Sequence, residues 1–294
     1  MDNYELLKLL EKAVQSKNKK VHFLRKITQP KKITFKLVEI IATCLNKSFR
    51  VKANLFWGEK MWVVVPEIIS LHLYHFGYIE LGLTLMILKY LKSGMTFFDI
   101  GAHFGYYTML ASKIVGNKGQ VHAFEPTKSS FEILKLNAKG KNNVVLNNLA
   151  VSSMRGKALI NDYGIRFSAW NSLHVARIQK DILSHLRTTK YEVETVSVDE
   201  YVRIHNLKPD FIKIDAEDHE YEILLGMEQT IENFRPIIAI EVGDVSDEIK
   251  SKSLVEFLIS KKYKPYEYKE GEILPHKIKD IYDYDNLLFL PEYY

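Results

Sequence analysis

From Met95 onward, short apolar runs alternate with longer stretches of helical periodicity. The runs fall at Thr96–Ile100, Gln120–Glu125, Val144–Asn147, Asp210–Asp215, Ile237–Glu241 and Tyr263–Tyr268, with a last one at Asn286–Leu290. Nearly continuous apolar runs of this length, spaced by helices, predict a parallel sheet covered on both faces. The span Lys269–Asp285 is rich in Gly, Pro, Lys and Asp and leaves no room for a crossover helix of normal length. A hairpin is the easier connection there, which makes the final strand antiparallel. The pattern therefore predicts an α/β fold with a Rossmann-like, seven-stranded, mostly parallel sheet whose last strand is reversed.

Upstream, residues 1–47 read as two helices, Asn3–Val14 and Lys32–Leu45. Leu6, Leu7, Leu9 and Leu10, then Val38, Ile41 and Leu45, supply their apolar faces. Arg50–Val65 reads as two short strands around a Gly58-Glu59 turn, followed by helices at Glu67–Phe76 and Glu80–Leu91. Between Leu149 and Asn206 lies an insertion with strand-like pieces at Lys157–Asn161 and Glu192–Ser197. Ser197-Val198-Asp199-Glu200 is a capping box that starts the next helix. The expected organisation is an N-terminal helical extension (1–48), a hairpin with helices leading into the core (49–94), and a ligand-binding domain (95–294) with an insertion at 151–197.

The chemistry concentrates in residues 97–125. One apolar strand ends at Asp99, a turn follows with glycines at Gly101 and Gly105, and the next strand ends at Glu125. Glycines let the backbone turn tightly and let a ligand lie against it. An acid at the second strand tip is placed to accept both ribose hydroxyls of an adenosine. A dinucleotide site wants G-x-G-x-x-G around its pyrophosphate. This turn has G-x-x-x-G with a carboxylate beside it, which would repel a pyrophosphate. S-adenosylmethionine has no phosphate and carries a sulfonium and an ammonium, so it suits an acid-rimmed pocket with aromatic rings nearby. The expected contacts are Asp99, Gly101, Ala102, His103, Gly105, Tyr106 and Thr108 at the methionine part, joined by Asp215. Glu125 and Pro126 are expected at the ribose, Asn148 and Ala150 at the adenine edge, and Glu80 over the amino group.

The order of motifs resembles the FkbM-type methyltransferase family. The resemblance rests on Phe98-Asp99-Ile100-Gly101-Ala102-His103-Phe104-Gly105, Ala123-Phe124-Glu125-Pro126, Asn148-Leu149-Ala150-Val151-Ser152 and Thr195–Tyr201. It continues through Ile212-Lys213-Ile214-Asp215-Ala216-Glu217, Ile238–Glu241 and Asn286–Pro291. It implies a class I methyltransferase fold and O-methyl transfer, in many members to sugar hydroxyls of glycans or to polyketide hydroxyls. The family commonly has glycine where this chain has Asp218, which draws attention to the turn after the fourth core strand.

A sugar hydroxyl is a poor nucleophile while protonated, so a base beside the methyl group helps. Asp215, Glu217 and His219 follow the fourth core strand and are the candidates. Trp170, Asn171 and Ser172, in the insertion, and Glu241, at a strand tip, are candidates for holding the acceptor. Asp215, Glu217 and Glu241 are only three oxygen ligands from two strands, so no metal is expected. Lys213, in a strand buried on both faces, reads as an ion pair with a neighbouring strand's acid.

Composition alters little of this. The chain has 294 residues, is 47% apolar and carries a net charge of +5, with its basic excess in residues 8–36. That stretch suits a solvated helical face or contact with an anionic membrane surface. No RNA-binding module accompanies it, so nucleic acid is not the expected partner. The single cysteine, Cys44, rules out an internal disulfide, and no signal peptide or membrane span is read. The expectation is a cytoplasmic protein, compatible with a place at the inner membrane face and with homo-oligomers, acting on a sugar or glycan that is free or lipid-linked.

Overall fold

The computed structural model describes residues 2–23, 40–42, 45, 47–173, 188–243, 248–282 and 285–293. Two strands, β1 (Phe49–Asn54) and β2 (Lys60–Val65), form an antiparallel hairpin. The large sheet contains β3 (Thr96–Ile100), β4 (Gln120–Phe124) and β5 (Val144–Asn147) from the first half of the core. A small sheet follows, built from β6 (Ala150–Val151), β7 (Gly156–Asp162) and β8 (Thr189–Val196). The chain then returns to the large sheet with β9 (Phe211–Ile214), β10 (Ile237–Val242), β11 (Tyr263–Lys269), β12 (Glu272–Pro275) and β13 (Asp285–Pro291).

The order across the large sheet is β12-β11-β13-β10-β9-β3-β4-β5. From β10 to β5 the neighbours are parallel, and β13 runs antiparallel to both β10 and β11. The seven expected strands are present with the last reversed. An eighth, β12, lies at the edge because Glu270 and Gly271 both adopt left-handed backbone and fold a tight hairpin back onto β11. The order reverses at β3, which has β4 on one side and β9 on the other. In an open parallel sheet, such a reversal opens a crevice outside the strand tips.

Alternate residues of the central strands bury opposite faces, which explains the unbroken apolar runs. Phe97, Phe211, Ile237, Ala239 and Leu288 pack with Met86, Ile87 and Leu110 of the helices 81–90 and 106–115. Phe98, Ile212, Ile238, Ile240 and Phe289 pack on the other face with Ile223, Leu254 and Val255. Each such side chain contributes roughly 1.5–3 kcal/mol by leaving water.

The first helix runs Asn3–Phe23, past its expected end at Val14. It docks through Leu6 and Leu10, both fully buried, and Asn3 Nδ2 donates to the carbonyls of Leu88 at 2.8 Å and Leu91 at 2.7 Å. Most of the expected second helix, Lys32–Leu45, and Cys44 lie outside the described residues; Ile40–Ala42 are helical. Among the described residues no single helix is long and apolar enough to cross a membrane.

Candidate active site

The reversal point carries a cavity that is open to solvent. Six separate stretches of sequence meet there, among them the helix Ile68–Phe76 through Ile69. The β3 tip and its turn bring Ile100, Gly101 and His103, and the β4 tip brings Phe124–Thr127. Leu149–Val151 line one side, and Asp215, Ala216, Glu217 and His219 come from the loop after β9. The insertion closes the remaining side with Ile160 and Ser168–Leu173, Trp170 excepted.

The turn after β3 has its shape for two reasons. Gly101 has φ +73, and a Cβ there would lie 1.7 Å from the carbonyl oxygen of Asp215. The close approach of the β3 and β9 tips therefore demands glycine at this position. Gly105 has φ +92, and its missing Cβ makes room for Leu134 of the helix 128–138, at 2.5 Å. The second glycine thus serves helix packing; Gly105 is not among the described lining residues.

Glu125 is buried to 6% exposure at the β4 tip. Its Oε2 accepts the backbone N–H of His103 at 2.9 Å, and its Oε1 accepts that of Thr127 at 2.8 Å. Burial pushes its pKa up to about 7, and the two N–H donors only partly offset this. His103 sits at φ +49, stacks on Phe104 with ring centroids 3.8 Å apart, and shares a 2.8 Å hydrogen bond between its Nε2 and Ser168 Oγ. Burial, with the charge of Lys213, holds its pKa down to about 3, so the ring is neutral at physiological pH.

After β9, Glu217 and Asp218 take successive left-handed conformations at φ +50 and +77. The turn that glycine would make freely is therefore kept with aspartate in its place. Ser172 of the insertion donates its hydroxyl to the Glu217 carbonyl at 2.5 Å, and Glu220 accepts the Ala216 N–H at 2.7 Å. His219 is 8% exposed, with Nε2 hydrogen-bonded to Ser152 Oγ at 2.9 Å and Nδ1 at 3.9 Å from Glu222. Asn171 takes the Tyr163 N–H on its oxygen at 2.8 Å and donates to Asp162 at 3.2 Å. These contacts hold the insertion loop against the cavity.

Of the residues singled out from sequence, Gly101, His103, Glu125, Pro126, Ala150, Asn171, Ser172, Asp215, Glu217 and His219 line the one cavity. Others sit behind it. Asp99 is fully buried, with Oδ2 accepting the Thr108 hydroxyl at 2.5 Å and Oδ1 3.4 Å from Lys213 Nζ, so it faces a lysine where a cofactor cation was expected. Thr108 is thereby occupied as well. Ala102 packs with Ala123 and Leu134. Tyr106 is buried beside Trp57, its hydroxyl 3.2 Å from Thr84 Oγ1.

The Asn148 amide donates to the carbonyls of Glu125 at 2.8 Å and Pro126 at 3.0 Å, bracing the β4 tip instead of facing the cavity. Glu80 accepts from Tyr107 at 2.8 Å and Asn286 at 2.9 Å, and burial and then Asp215 raise its pKa. Glu241 is buried in β10 opposite Asn286 and is not among the described lining residues, so the acceptor role expected for it finds no support in its position. The side chain of Trp170 lies outside the described residues.

Sequence reasoning left Thr127 and Ile160 unassigned and placed Leu149 at the ligand edge and Ser168 in the insertion loop without a role of their own. Ser168 falls within the aromatic and amide stretch of the insertion, but no spacing rule ties a serine there to a histidine 65 positions earlier. Lys213 does pair with neighbouring acids, Asp99 at 3.4 Å and Asp215 at 3.3 Å. Burial works against its charge, yet Asp215, Asp99 and Glu80 hold its pKa above the ordinary lysine value. Among the described residues no group of three or more His, Cys, Asp or Glu is arranged to hold a metal ion.

The sequence matches the profile of the Methyltransferase FkbM domain over residues 99–271. Hexuronic acid methyltransferase AglP of Haloferax volcanii is 25% identical over 177 residues, 60% of this chain and 67% of that protein. Among solved structures, a Methyltransferase FkbM from Methylobacillus flagellatus KT is 15% identical with a TM-score of 0.41. That match covers 67% of this chain but only 44% of the other. Fibrillarin from Aeropyrum pernix, with natively bound S-adenosyl-L-methionine, is 12% identical with a TM-score of 0.41, covering 68% of each chain.

Proposed function

The chain belongs to the FkbM methyltransferase family, and on that footing we propose that it is an S-adenosylmethionine-dependent O-methyltransferase acting on a hydroxyl of a sugar, glycan or glycolipid. One observation carries this reading. A single cavity joins the Glu125 carboxylate, the Asp215–His219 loop and the polar edge of the insertion.

The residues fit the methyl donor. Each Glu125 oxygen accepts one backbone N–H and keeps lone-pair capacity for a ribose hydroxyl. Phe124, Leu149 and Ile160 offer apolar walls for an adenine. Asp215 and Glu217 line the cavity beside them, and the cation of Lys213 is engaged by Asp99 and Asp215. The neutral His103 adds no positive charge, so the pocket favours a cation without phosphate. When bound, S-adenosylmethionine supplies a methyl group on a positively charged sulfur, already activated for in-line displacement by an oxygen.

The chain then has to align the acceptor oxygen, exclude water and take a proton. Asp215, Glu217 and His219 stand on the same cavity wall for the proton. Asn171, Ser172 and Ser168 stand on the insertion side for the hydroxyls of an acceptor. The similarity to a hexuronic acid methyltransferase supports a sugar acceptor.

The test is calorimetric titration with S-adenosylmethionine, followed by transfer of an isotope-labelled methyl group to a panel of neutral and acidic oligosaccharides. Binding at submillimolar concentration and label in a glycan are the expected results. Label entering RNA or protein while every glycan stays unlabelled would overturn the acceptor assignment.

A further inference from the structure

Lys213 is 2% exposed in the centre of the large sheet, yet its Nζ reaches the cavity-forming backbone of another strand. It donates to the carbonyl of Gly101 at 2.9 Å and lies 3.3 Å from that of Ile100. The same nitrogen is 3.3 Å from Asp215 Oδ2 and 3.4 Å from Asp99 Oδ1. It also stands 5.5 Å from the ring centre of Tyr107, whose hydroxyl donates to Glu80. One ammonium therefore touches the glycine turn after β3, an acid on the cavity wall, and the acid beneath both.

We propose that Lys213 is a positioning residue, a clamp that holds the Gly101 turn and the Asp215 carboxylate at one fixed separation so that the pocket is formed before the methyl donor arrives. This rests on the donor reading above. A salt bridge serving the fold alone would need only Asp99, which is fully buried and paired to Thr108. The contacts to Gly101 and Asp215 go further, because both residues line the cavity. The approach at Gly101 is also too close for any side chain. Two strand tips this near each other bring the Asp215 and Gly101 backbones together, and a cation between the strands locks that spacing. An ammonium suits this role because it is compact and has three protons for partners in different directions.

The double variant Asp99→Asn/Lys213→Met separates positioning from charge. It removes one negative and one positive group, so the net charge of the cluster is unchanged and no acid stands at position 99 without a cation, while Asp215 and the Gly101 turn lose the ammonium under test. The expected result is a cooperative melting curve with S-adenosylmethionine affinity weakened at least ~10-fold in calorimetry. Asp99→Asn alone keeps the Lys213 contacts to Gly101 and Asp215, so the ~10-fold loss is expected in the double variant relative to this single variant. If the double variant does not melt cooperatively, Lys213→Arg carries the test. It keeps the charge without the compact donor, and the same ~10-fold loss is expected.

A folded double variant with the affinity of Asp99→Asn, or failing that an arginine variant with wild-type affinity, would overturn the clamp while leaving the methyl-donor reading in place. A wild-type protein that binds no S-adenosylmethionine would instead sink the donor reading and the clamp with it.

Discussion

His103 donates its backbone N–H to Oε2 of Glu125 at 2.9 Å, across the gap between the tips of β3 and β4. The turn after one strand is thus anchored on the acid that ends the next. Glu125 is at once a cavity wall and a brace for the loop opposite. Replacing it with alanine should remove charge-assisted contacts to the donor's ribose, weakening binding by roughly 1.5–3 kcal/mol. Two buried N–H groups would lose their acceptor, so the melting temperature should fall as well. Calorimetry and thermal unfolding of Glu125→Ala check both; an unaltered affinity would remove Glu125 from the binding site.

The raised pKa of Glu125 has a definite sign. An acid ordinarily near 4.5 and pushed up to about 7 on folding binds more protons folded than unfolded. Its contribution should make the free protein less stable as pH rises from about 4.5 to about 7, levelling off above that. Donor binding, which uses the ionised form, should strengthen over the upper part of the same range. Glu125→Gln should flatten both profiles, which unfolding curves and titrations at a series of pH values would show.

Asp215 is partly exposed at the tip of β9 and faces the cavity beside Glu217 and His219. If it takes the acceptor proton, Asp215→Asn should lower turnover by about 10²-fold or more, a typical loss for a general base. Donor affinity, which the Asp215 charge also serves, should fall by less than turnover does. Turnover retained in that variant would move the base to Glu217 or His219, which the corresponding Gln substitutions would then separate.

Gly101→Ala should be among the most damaging single substitutions. The new Cβ meets the Asp215 carbonyl oxygen at 1.7 Å, and φ is +73. The left-handed backbone alone costs roughly 1–2 kcal/mol for a residue with a Cβ, and the clash adds to that. Denaturant unfolding should show a loss above ~2 kcal/mol if the protein folds at all.

Asp218→Gly is the converse. At φ +77 glycine has no Cβ penalty, and the folded state should gain up to about 1 kcal/mol after the extra flexibility of the unfolded chain is subtracted. A higher melting temperature with unchanged donor binding is the expected outcome; a lower one would show that the aspartate side chain holds the turn.

Local pattern alone determined the strand–helix alternation, the reversed last strand and the acid Glu125 at the tip of β4. These follow from burial on both faces of the sheet and from the room needed for crossovers, which are properties of short stretches. The extra strand β12 was less legible, because a two-residue turn at Glu270 and Gly271 carries no apolar run of its own.

Which polar residues face the cavity was decided by tertiary structure. Asp99 lies within β3, in register with Ala123 of β4, and is sealed against Lys213 and Thr108, whereas Glu125 follows the last residue of β4 and lines the pocket. The apolar runs alone made both look like strand-end acids, because where a strand ends and what its neighbour presents are set by pairing between strands. The same holds for Lys213, which reaches Asp99, Ile100 and Gly101 on and just past the adjacent strand, more than a hundred residues away in sequence. Hydrophobic periodicity is a local quantity and survives in the one-dimensional chain. The environment of a charge is set by strands that meet only after folding.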